Sequence, residues 1–269
     1  MKRGVLLPTI ATFGFIFLYA PILSLVVFSF NENKLVTVWS GFSLKWYGSL
    51  FADPKLFSAA LRSLQIAAAS ASIALVLGTL TAVALVRFRR FRGKTLMSIT
   101  ISAPLVMPDV ITGLALLLLF VTLRSIIGWP ADQGMMTIII AHSIVCMAYV
   151  TVVVQSRLSE LDLSLEEAAM DLGATPVAVF FDITLPIIAP ALVSGWLLAF
   201  TISLDDVVIA QFVAGPGSTT LPMEIFSKVR LGVSPDINAL ATIIISVVAL
   251  GVLAATIIQL RSRPKNQGA

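Results

Sequence analysis

The chain has 269 residues, of which 58% are hydrophobic and 12% are charged, with a net charge of +4 and a mean hydropathy of +1.00. Soluble domains carry about 25% charged residues, so this composition excludes a water-facing globular protein and indicates a chain largely surrounded by lipid. The positive charges stand beside apolar segments, which is typical of membrane topology and not of nucleic-acid binding. With one cysteine, Cys146, an internal disulfide framework is excluded.

Six apolar segments are long enough to cross a bilayer, whose hydrocarbon core of about 30 Å needs about 20 helical residues. In chain order, the predicted spans cover about 5–30, 63–86, 96–123, 135–156, 183–213 and 238–260. The first resembles a signal peptide, but its apolar run is too long for one and lacks a small-residue cleavage site before Glu32. We interpret it as a retained span and expect one all-α membrane domain over 1–269.

The distribution of lysine and arginine predicts the orientation, because these residues are in excess on the cytoplasmic side. With both termini in the cytoplasm, the inner segments hold eleven basic residues and the outer ones seven. The loop 87–94 alone has five and no acid. The inner residues are Lys2, Arg3, Arg87, Arg89, Arg90, Arg92, Lys94, Arg157, Arg261, Arg263 and Lys265. This topology places the loop 157–182 in the cytoplasm.

A spaced motif begins in that loop. Glu167-Ala168-Ala169 is followed after three residues by Gly173, and after nine more by Ile183-Thr184-Leu185-Pro186. Ser164 has the spacing to Glu167 of a capping box, so we expect Ser164 to be the N-cap of a short helix. An ordinary amphipathic helix in a cytoplasmic loop is one interpretation of this segment.

The local sequence predicts how this short helix ends and which face it presents. Gly173 is expected to stop it in a left-handed conformation, and Thr175-Pro176 to start another helix, with threonine as the cap and proline in the first turn. Helical spacing predicts one apolar stripe with small residues at its centre. The stripe consists of Leu165, Ala168, Ala169 and Leu172.

Three carboxylates interrupt predicted spans: Asp109, Asp205 and Asp206. A charged side chain at a helix centre costs about 2.5–3.5 kcal/mol to insert, so these acids should face water or protein, and acids along a path suit a cationic substrate. Adjacent helical residues point about 100° apart, so Asp205 and Asp206 cannot both face one line. Pro104 and Pro108 predict a bend beside Asp109. Solvation at the membrane surface is the alternative for Asp205 and Asp206.

Four further residues are candidates, and three of them have simpler alternatives. Trp46 and Tyr47 lie in the first outer segment, where aromatic faces attract ammonium groups or sit as interfacial residues. Glu224 lies in the third outer segment, after Pro222. His142 lies within an apolar run, where we expect a neutral, hydrogen-bonded interhelical histidine, with a relay or ligand role as the alternative. We find no nucleophile and base pattern and expect no enzyme activity.

The spaced motif, Glu167-Ala168-Ala169 with Gly173 and Ile183-Thr184-Leu185-Pro186, resembles the signature of permease subunits of binding-protein-dependent ABC importers. This resemblance implies that the motif is the cytoplasmic loop that couples the permease to its ATP-binding subunits, and we call it the coupling motif. Longer strings resemble the permeases of polyamine (putrescine and spermidine) importers over essentially the full chain. These strings are Tyr19-Ala20-Pro21-Ile22, Phe28-Ser29-Phe30-Asn31, Ser203-Leu204-Asp205-Asp206-Val207-Val208-Ile209, Gly215-Pro216-Gly217-Ser218-Thr219-Thr220-Leu221-Pro222 and Pro235-Asp236-Ile237-Asn238-Ala239.

The resemblance implies a type I ABC importer permease fold in the bacterial inner membrane, working by ATP-driven alternating access with putrescine as the preferred substrate. It implies a second, homologous permease as heterodimer partner, two copies of an ATP-binding subunit and a periplasmic polyamine-binding protein. ATP and magnesium would be bound by the ATP-binding subunits, with no cofactor or metal in this chain. The alternatives are a permease for another small solute and an ATP-independent secondary transporter with a broken fifth span.

The resemblance also assigns two groups of residues. The ATPase-coupling group is Glu167, Ala168, Ala169, Leu172, Gly173 and Pro186. Along the substrate pathway, Asp109, Asp205 and Trp46 occupy matching contexts, and we add Asp206, Tyr47 and Glu224 from their positions in the chain.

Overall fold

Prolines, glycines and capping side chains divide the apolar chain into helices. The computed structural model describes residues 3–34, 38–88, 90–231 and 235–262. Within these ranges the backbone is helical, apart from loops and one isolated bridge between Asn31 and Phe42, and it contains no strand. The helices are α1 Arg3–Phe28, α2 Lys45–Phe51, α3 Pro54–Arg87, α4 Lys94–Val106, α5 Asp109–Ile127, α6 Met135–Glu160, α7 Leu163–Asp171, α8 Pro176–Val179, α9 Leu185–Asp205, α10 Val208–Val213, α11 Leu221–Leu231 and α12 Pro235–Ser262, with a π-helical segment, Phe180–Thr184, between α8 and α9.

The expected all-α membrane fold is confirmed. Five helical runs are long and apolar enough to cross a membrane: Leu7–Phe28, Pro54–Arg87, Asp109–Ile127, Met135–Glu160 and Pro176–Asp205. The apolar helix Lys94–Val106 is shorter, and α12 is apolar over the part Pro235–Leu250. The cytoplasmic orientation of the termini stays a prediction. Of the basic residues counted for it, Lys2, Arg89, Arg263 and Lys265 lie outside the described ranges.

Two predicted spans are broken where the sequence predicts a continuous or merely bent helix. The segment 96–123 is divided between α4 and α5, because Met107 and Pro108 are extended, with ψ of 138° and 139°. Proline at 104 and at 108 removes two helical donors, which explains the interruption. The segment 183–213 ends as a helix at Asp205, and Asp206 is extended with ψ of 130° before α10 begins.

The chain separates into two compact units, residues 1–57 with 225–269 and residues 58–224. In the first unit, α12 packs on both α1 and α2. An ion network joins its polar ends: the Lys228 ammonium lies 3.3 Å from a carboxylate oxygen of Asp53 and 3.3 Å from one of Asp236. Lys228 therefore connects the loop before α3 to the first turn of α12.

In the second unit, α6 forms the centre of the core. Its side chains Val150, Val154 and Leu158 are fully buried. They pack against small residues of α3 and against Ile188 and Ala199 of α9. A β-carbon added at Gly78 of α3 would lie 2.8 Å from a methyl of Val150, so the absence of a side chain there permits this close approach. This packing fixes α3, α6 and α9 relative to one another.

Candidate functional site

The helix α7 is capped by a different residue from the one predicted. Asp162, not Ser164, is the N-cap, and its carboxylate accepts a hydrogen bond from the Ser164 backbone N–H at 3.0 Å. The prediction of a Ser164 to Glu167 capping box was wrong, because a carboxylate two residues upstream takes the N–H of the first turn. This hydrogen bond lowers the pKa of the exposed Asp162 side chain.

The predicted end of α7 is confirmed. Gly173 has φ of +94°, a left-handed conformation that favours glycine. The N–H of Gly173 donates to the carbonyl of Met170, and the N–H of Ala174 donates to the carbonyl of Ala169. These two bonds form a Schellman motif. Thr175 then caps α8, its hydroxyl accepting from the Ala178 N–H, and Pro176 is in the first turn as expected.

The predicted apolar stripe of α7 is a solvent-exposed ridge. Leu165 is 48% exposed and Leu172 is 91% exposed, with Ala168 between them also exposed and Ala169 partly buried. Glu167 is exposed as well, and Pro186 is exposed in the first turn of α9. Exposed leucines on a short helix with small residues between them suit docking against another protein surface.

A residue that sequence reasoning did not single out joins α7 to two other elements. The Oε1 atom of Glu166 lies 2.7 Å from Nη2 of Arg87, at the end of α3. The same oxygen accepts a hydrogen bond from the Thr184 hydroxyl at 2.7 Å. The side chains of Arg87 and Glu166 are only 18% and 13% exposed. The two residues are 79 positions apart in the sequence, so no local signal could have found this contact.

A cleft of about 640 Å³ lies beside this contact. It is lined by apolar side chains of α3, α7, α8 and the π-helical segment, with Arg87, Glu166 and Glu167 as the charged members. Helix α7 therefore does not pack against a filled core.

The acids predicted in the spans occupy different environments. Asp206 is 14% exposed and caps α10, accepting from the Ala210 N–H at 2.7 Å and the Ile209 N–H at 3.4 Å. It also faces His142, whose Nε2 lies 3.2 Å away, while Nδ1 of the same ring lies 2.7 Å from the Ser203 hydroxyl. His142 is thus hydrogen-bonded between α6 and α9, as the sequence predicts.

Asp205 and Asp109 are both exposed, with Asp109 in the first turn of α5. Glu224 is partly buried in the first turn of α11. Packing between α5 and α10 is close, since a β-carbon at Gly113 would lie 2.6 Å from the Phe212 ring. No group of three or more metal-ligating side chains occurs in the part of the chain that the structure describes.

The two aromatic candidates stabilise the segment between α1 and α3. The Trp46 indole N–H donates to the carbonyl of Asn31 at 2.7 Å, and the Tyr47 hydroxyl lies 2.7 Å from that of Ser29. The Lys45 ammonium lies 4.9 Å from the centre of the Trp46 ring. Both residues therefore have packing roles, and one face of the tryptophan accepts an ammonium group.

A family model described as "binding-protein-dependent transport system inner membrane component" matches residues 74–267. The chain belongs to this family. It is a multi-pass membrane permease of an ABC importer, and its relatives include polyamine permeases.

Among those relatives, the putrescine transport system permease protein PotI of Escherichia coli K12 is 65% identical over 88% of this chain and 84% of its own length. The spermidine/putrescine permease protein PotC of Haemophilus influenzae is 44% identical over 93% of each chain.

Solved structures share the fold at low sequence identity. A bacterial ABC transporter that imports the polysaccharide alginate superposes with a TM-score of 0.74 at 17% identity, covering 95% of each chain. The methionine transporter MetNI superposes with a TM-score of 0.61, covering 77% of this chain and 95% of that one. These two likenesses concern the fold alone.

Proposed function

We propose that this chain is the permease subunit of an ATP-driven polyamine importer in the bacterial inner membrane, with putrescine as its preferred substrate. The observation that carries this proposal is the 65% identity to a putrescine permease over 88% of the chain. The 44% identity to a spermidine/putrescine permease supports the polyamine class and makes spermidine the second candidate substrate.

The exposed ridge of α7 supports the proposal that separate ATP-binding subunits drive transport. Leu165 and Leu172 present apolar surface outside the core, and the Schellman motif at Gly173 ends the helix sharply. Such a short, rigid helix can seat in a groove of an ATP-binding subunit and move with it. Two ATP-binding subunits, which would bind ATP and magnesium, then drive alternating access through the coupling residues Glu167, Ala168, Ala169, Leu172, Gly173 and Pro186.

The exposed acids support a cationic substrate. Asp109 and Asp205 are available to solvent or to a ligand, whereas Asp206 is committed to His142 and to the cap of α10. A carboxylate about 4 Å from an ammonium group gives about 4 kcal/mol of attraction at an effective dielectric constant near 20, before the cost of desolvation. We assign Asp109 and Asp205 to ammonium contacts along the path. Tyr47, Glu224 and Asp206 shape its surroundings.

The first outer segment offers a second ammonium contact. The Lys45 ammonium lies over the Trp46 ring, and we assign the same ring to contact with an amine of the substrate. Substrate would be delivered there by a periplasmic polyamine-binding protein, and a homologous second permease would complete the path.

The decisive experiment is uptake by the assembled complex in proteoliposomes, with binding protein and ATP supplied. Radiolabelled putrescine should enter only with ATP, and unlabelled putrescine should compete better than spermidine, with amino acids and sugars ineffective. Uptake without ATP would instead identify a secondary transporter. Competition by an unrelated solute alone would identify a permease for another substrate.

A further inference from the structure

The coupling helix α7 is held to its own subunit by few contacts. None of the residues of α7 is fully buried, and only Glu166 and Ala169 are partly buried. The cleft of about 640 Å³ separates part of it from α3. Helices in proteins are normally fixed by an apolar face packed against a core. Since α7 turns its apolar ridge outward, some other interaction must fix its position.

The carboxylate of Glu166 provides that interaction. Its Oε1 atom meets both Arg87 at the end of α3 and Thr184 at the end of the π-helical segment, each at 2.7 Å. Among the described residues, these are the side-chain hydrogen bonds that leave α7 for other elements of the chain. A single oxygen thus connects α7 to two helices that are long enough to cross the membrane, α3 and the run Pro176–Asp205.

The surroundings make this contact stiff. Thr184 is 3% exposed, and the two charged side chains are largely shielded from water. Removing one partner of a shielded ion pair leaves an uncompensated charge, which is far more costly than losing an exposed pair. The π-helical segment lies directly before α9, and such segments are often found at functional sites because they interrupt the regular hydrogen-bond ladder.

We propose that Glu166 is a positioning residue that transmits movement of α7 to α3 and α9 through Arg87 and Thr184. This proposal rests on the proposed function, because it concerns how ATP-driven movement of α7 reaches the membrane spans. When the ATP-binding subunit displaces α7, the carboxylate pulls on the guanidinium and the threonine hydroxyl together. The two spans then move as one body with the coupling helix.

The test uses the full complex in proteoliposomes and measures ATP hydrolysed per putrescine imported. It also measures the stimulation of ATP hydrolysis by loaded binding protein. Glu166→Gln removes the charge, and Thr184→Val removes only the hydroxyl at nearly constant volume. For both variants we expect normal subunit stoichiometry, with at least about a fivefold rise in ATP consumed per substrate, the lower end of typical coupling effects.

The matched control is Glu160→Gln, which neutralises an exposed acid paired with Arg157 in the same loop. It should leave the ratio unchanged. Arg87→Gln combined with Glu166→Gln should cost no more coupling than either change alone, because both remove one interaction. If Glu166 had a purely structural role, the variants would reduce the amount of assembled complex. The complex that still assembled would then hydrolyse the normal amount of ATP per putrescine imported.

Wild-type ratios in both Glu166→Gln and Thr184→Val would overturn the linkage. If Glu166→Gln does not assemble, Thr184→Val decides alone, since the ion pair remains in that variant. Failure of the unmodified complex to import any polyamine would overturn the proposed substrate instead, so the two failures are distinguishable.

Discussion

Nε2 of His142 lies 3.2 Å from Oδ2 of Asp206, across the break that separates α9 from α10. The other ring nitrogen meets the Ser203 hydroxyl at 2.7 Å. One buried imidazole therefore joins α6 to both sides of the interruption. Asp206 completes the arrangement by capping α10, which gives this acid a structural task that its neighbour Asp205 does not share.

Asp206→Ala should destabilise the protein. It leaves His142 and the Ala210 N–H without their acceptor, and an unsatisfied buried donor costs about 1–3 kcal/mol. We expect a melting temperature in detergent lower by several degrees, measured by fluorescence-detected unfolding. Asp205→Ala, which removes an exposed carboxylate one residue earlier, is the control and should melt like the unmodified protein. Equal melting of both variants would contradict the assigned role of Asp206.

Asp109→Asn and Asp205→Asn should each lower polyamine uptake several-fold while complex assembly and basal ATP hydrolysis are retained. Both changes keep size and hydrogen-bonding capacity but remove a charge that attracts ammonium groups. Initial rates over a range of putrescine concentrations measure the effect. Uptake by both variants at the unmodified rate would remove the main physical support for a cationic path.

Gly173→Val should reduce transport. A β-branched residue in a left-handed conformation costs at least about 1–2 kcal/mol, which corresponds to about a tenfold change in an equilibrium. There is open space around the added carbon, so the strain is in the backbone that ends α7. Uptake should fall about tenfold, with the protein still present in the membrane.

Gly93→Val supplies the matched control for this experiment. Gly93 has φ of +90° and equal free space, but it is the N-cap of α4 and does not lie beside α7. The two variants should lose similar thermal stability while only Gly173→Val loses coupled transport. A parallel loss of transport in both would show that strain alone, and not the seat of α7, is responsible.

Cysteine labelling measures the orientation. Cys146 is 1% exposed, so an added cysteine gives a clean signal. Gly93→Cys should react with an impermeant thiol reagent only after the membrane is opened, and Ala131→Cys, in the exposed loop between α5 and α6, should react in intact spheroplasts. The reverse pattern would overturn the predicted topology and the coupling assignment with it.

The Lys228 network should stabilise the protein across neutral pH and fail at both extremes. Partial burial tends to lower the pKa of Lys228, but the Asp53 and Asp236 carboxylates outweigh it and raise that pKa above the ordinary 10.5. Partial burial tends to raise the pKa of Asp53, but the backbone N–H of Lys55, the Lys228 ammonium and the N–H of Leu56 lower it below 3.8.

The Lys228 contribution is therefore present below pH 10.5 and is lost as the pH rises through its higher folded pKa, and the Asp53 contribution is present above pH 3.8 and is lost on acidification. Lys228→Met should cost about 1 kcal/mol at neutral pH. The difference in melting temperature from the unmodified protein should shrink toward both extremes. Lys34→Met, at an exposed lysine of the same unit, should show no such dependence.

Local signals were enough to predict the conformation of the segment from α7 to α8 in part. A glycine that must adopt positive φ and a threonine followed by proline are short-range signals, and Gly173, Thr175 and Pro176 behave as predicted. The sequence prediction of Ser164 as the cap was wrong, because Asp162, which is an equally good acceptor at a helix start, caps α7 instead. The apolar ridge followed from helical spacing alone.

Contacts between distant residues were not predictable. The Arg87 to Glu166 pair joins residues 79 positions apart, and no periodicity relates them. The break after Asp205 has no proline or glycine to announce it, and its signal is only an aspartate able to cap α10. At Pro108 the proline did indicate an interruption, although the helix stops there and does not merely bend.

The turn at Met107 and Pro108 has a consequence for the unassembled subunit. Prolines 104 and 108 have no N–H, so the carbonyls of Thr100 and Pro104 lack their helical donors, and neighbouring Val106 is 83% exposed. Hydrocarbon supplies no donor of its own. An unassembled copy that turns this stretch toward the bilayer leaves carbonyls that lipid cannot solvate. Cells should therefore degrade unassembled copies faster than assembled ones, because membrane proteases can recognise this turn only in the unassembled subunit.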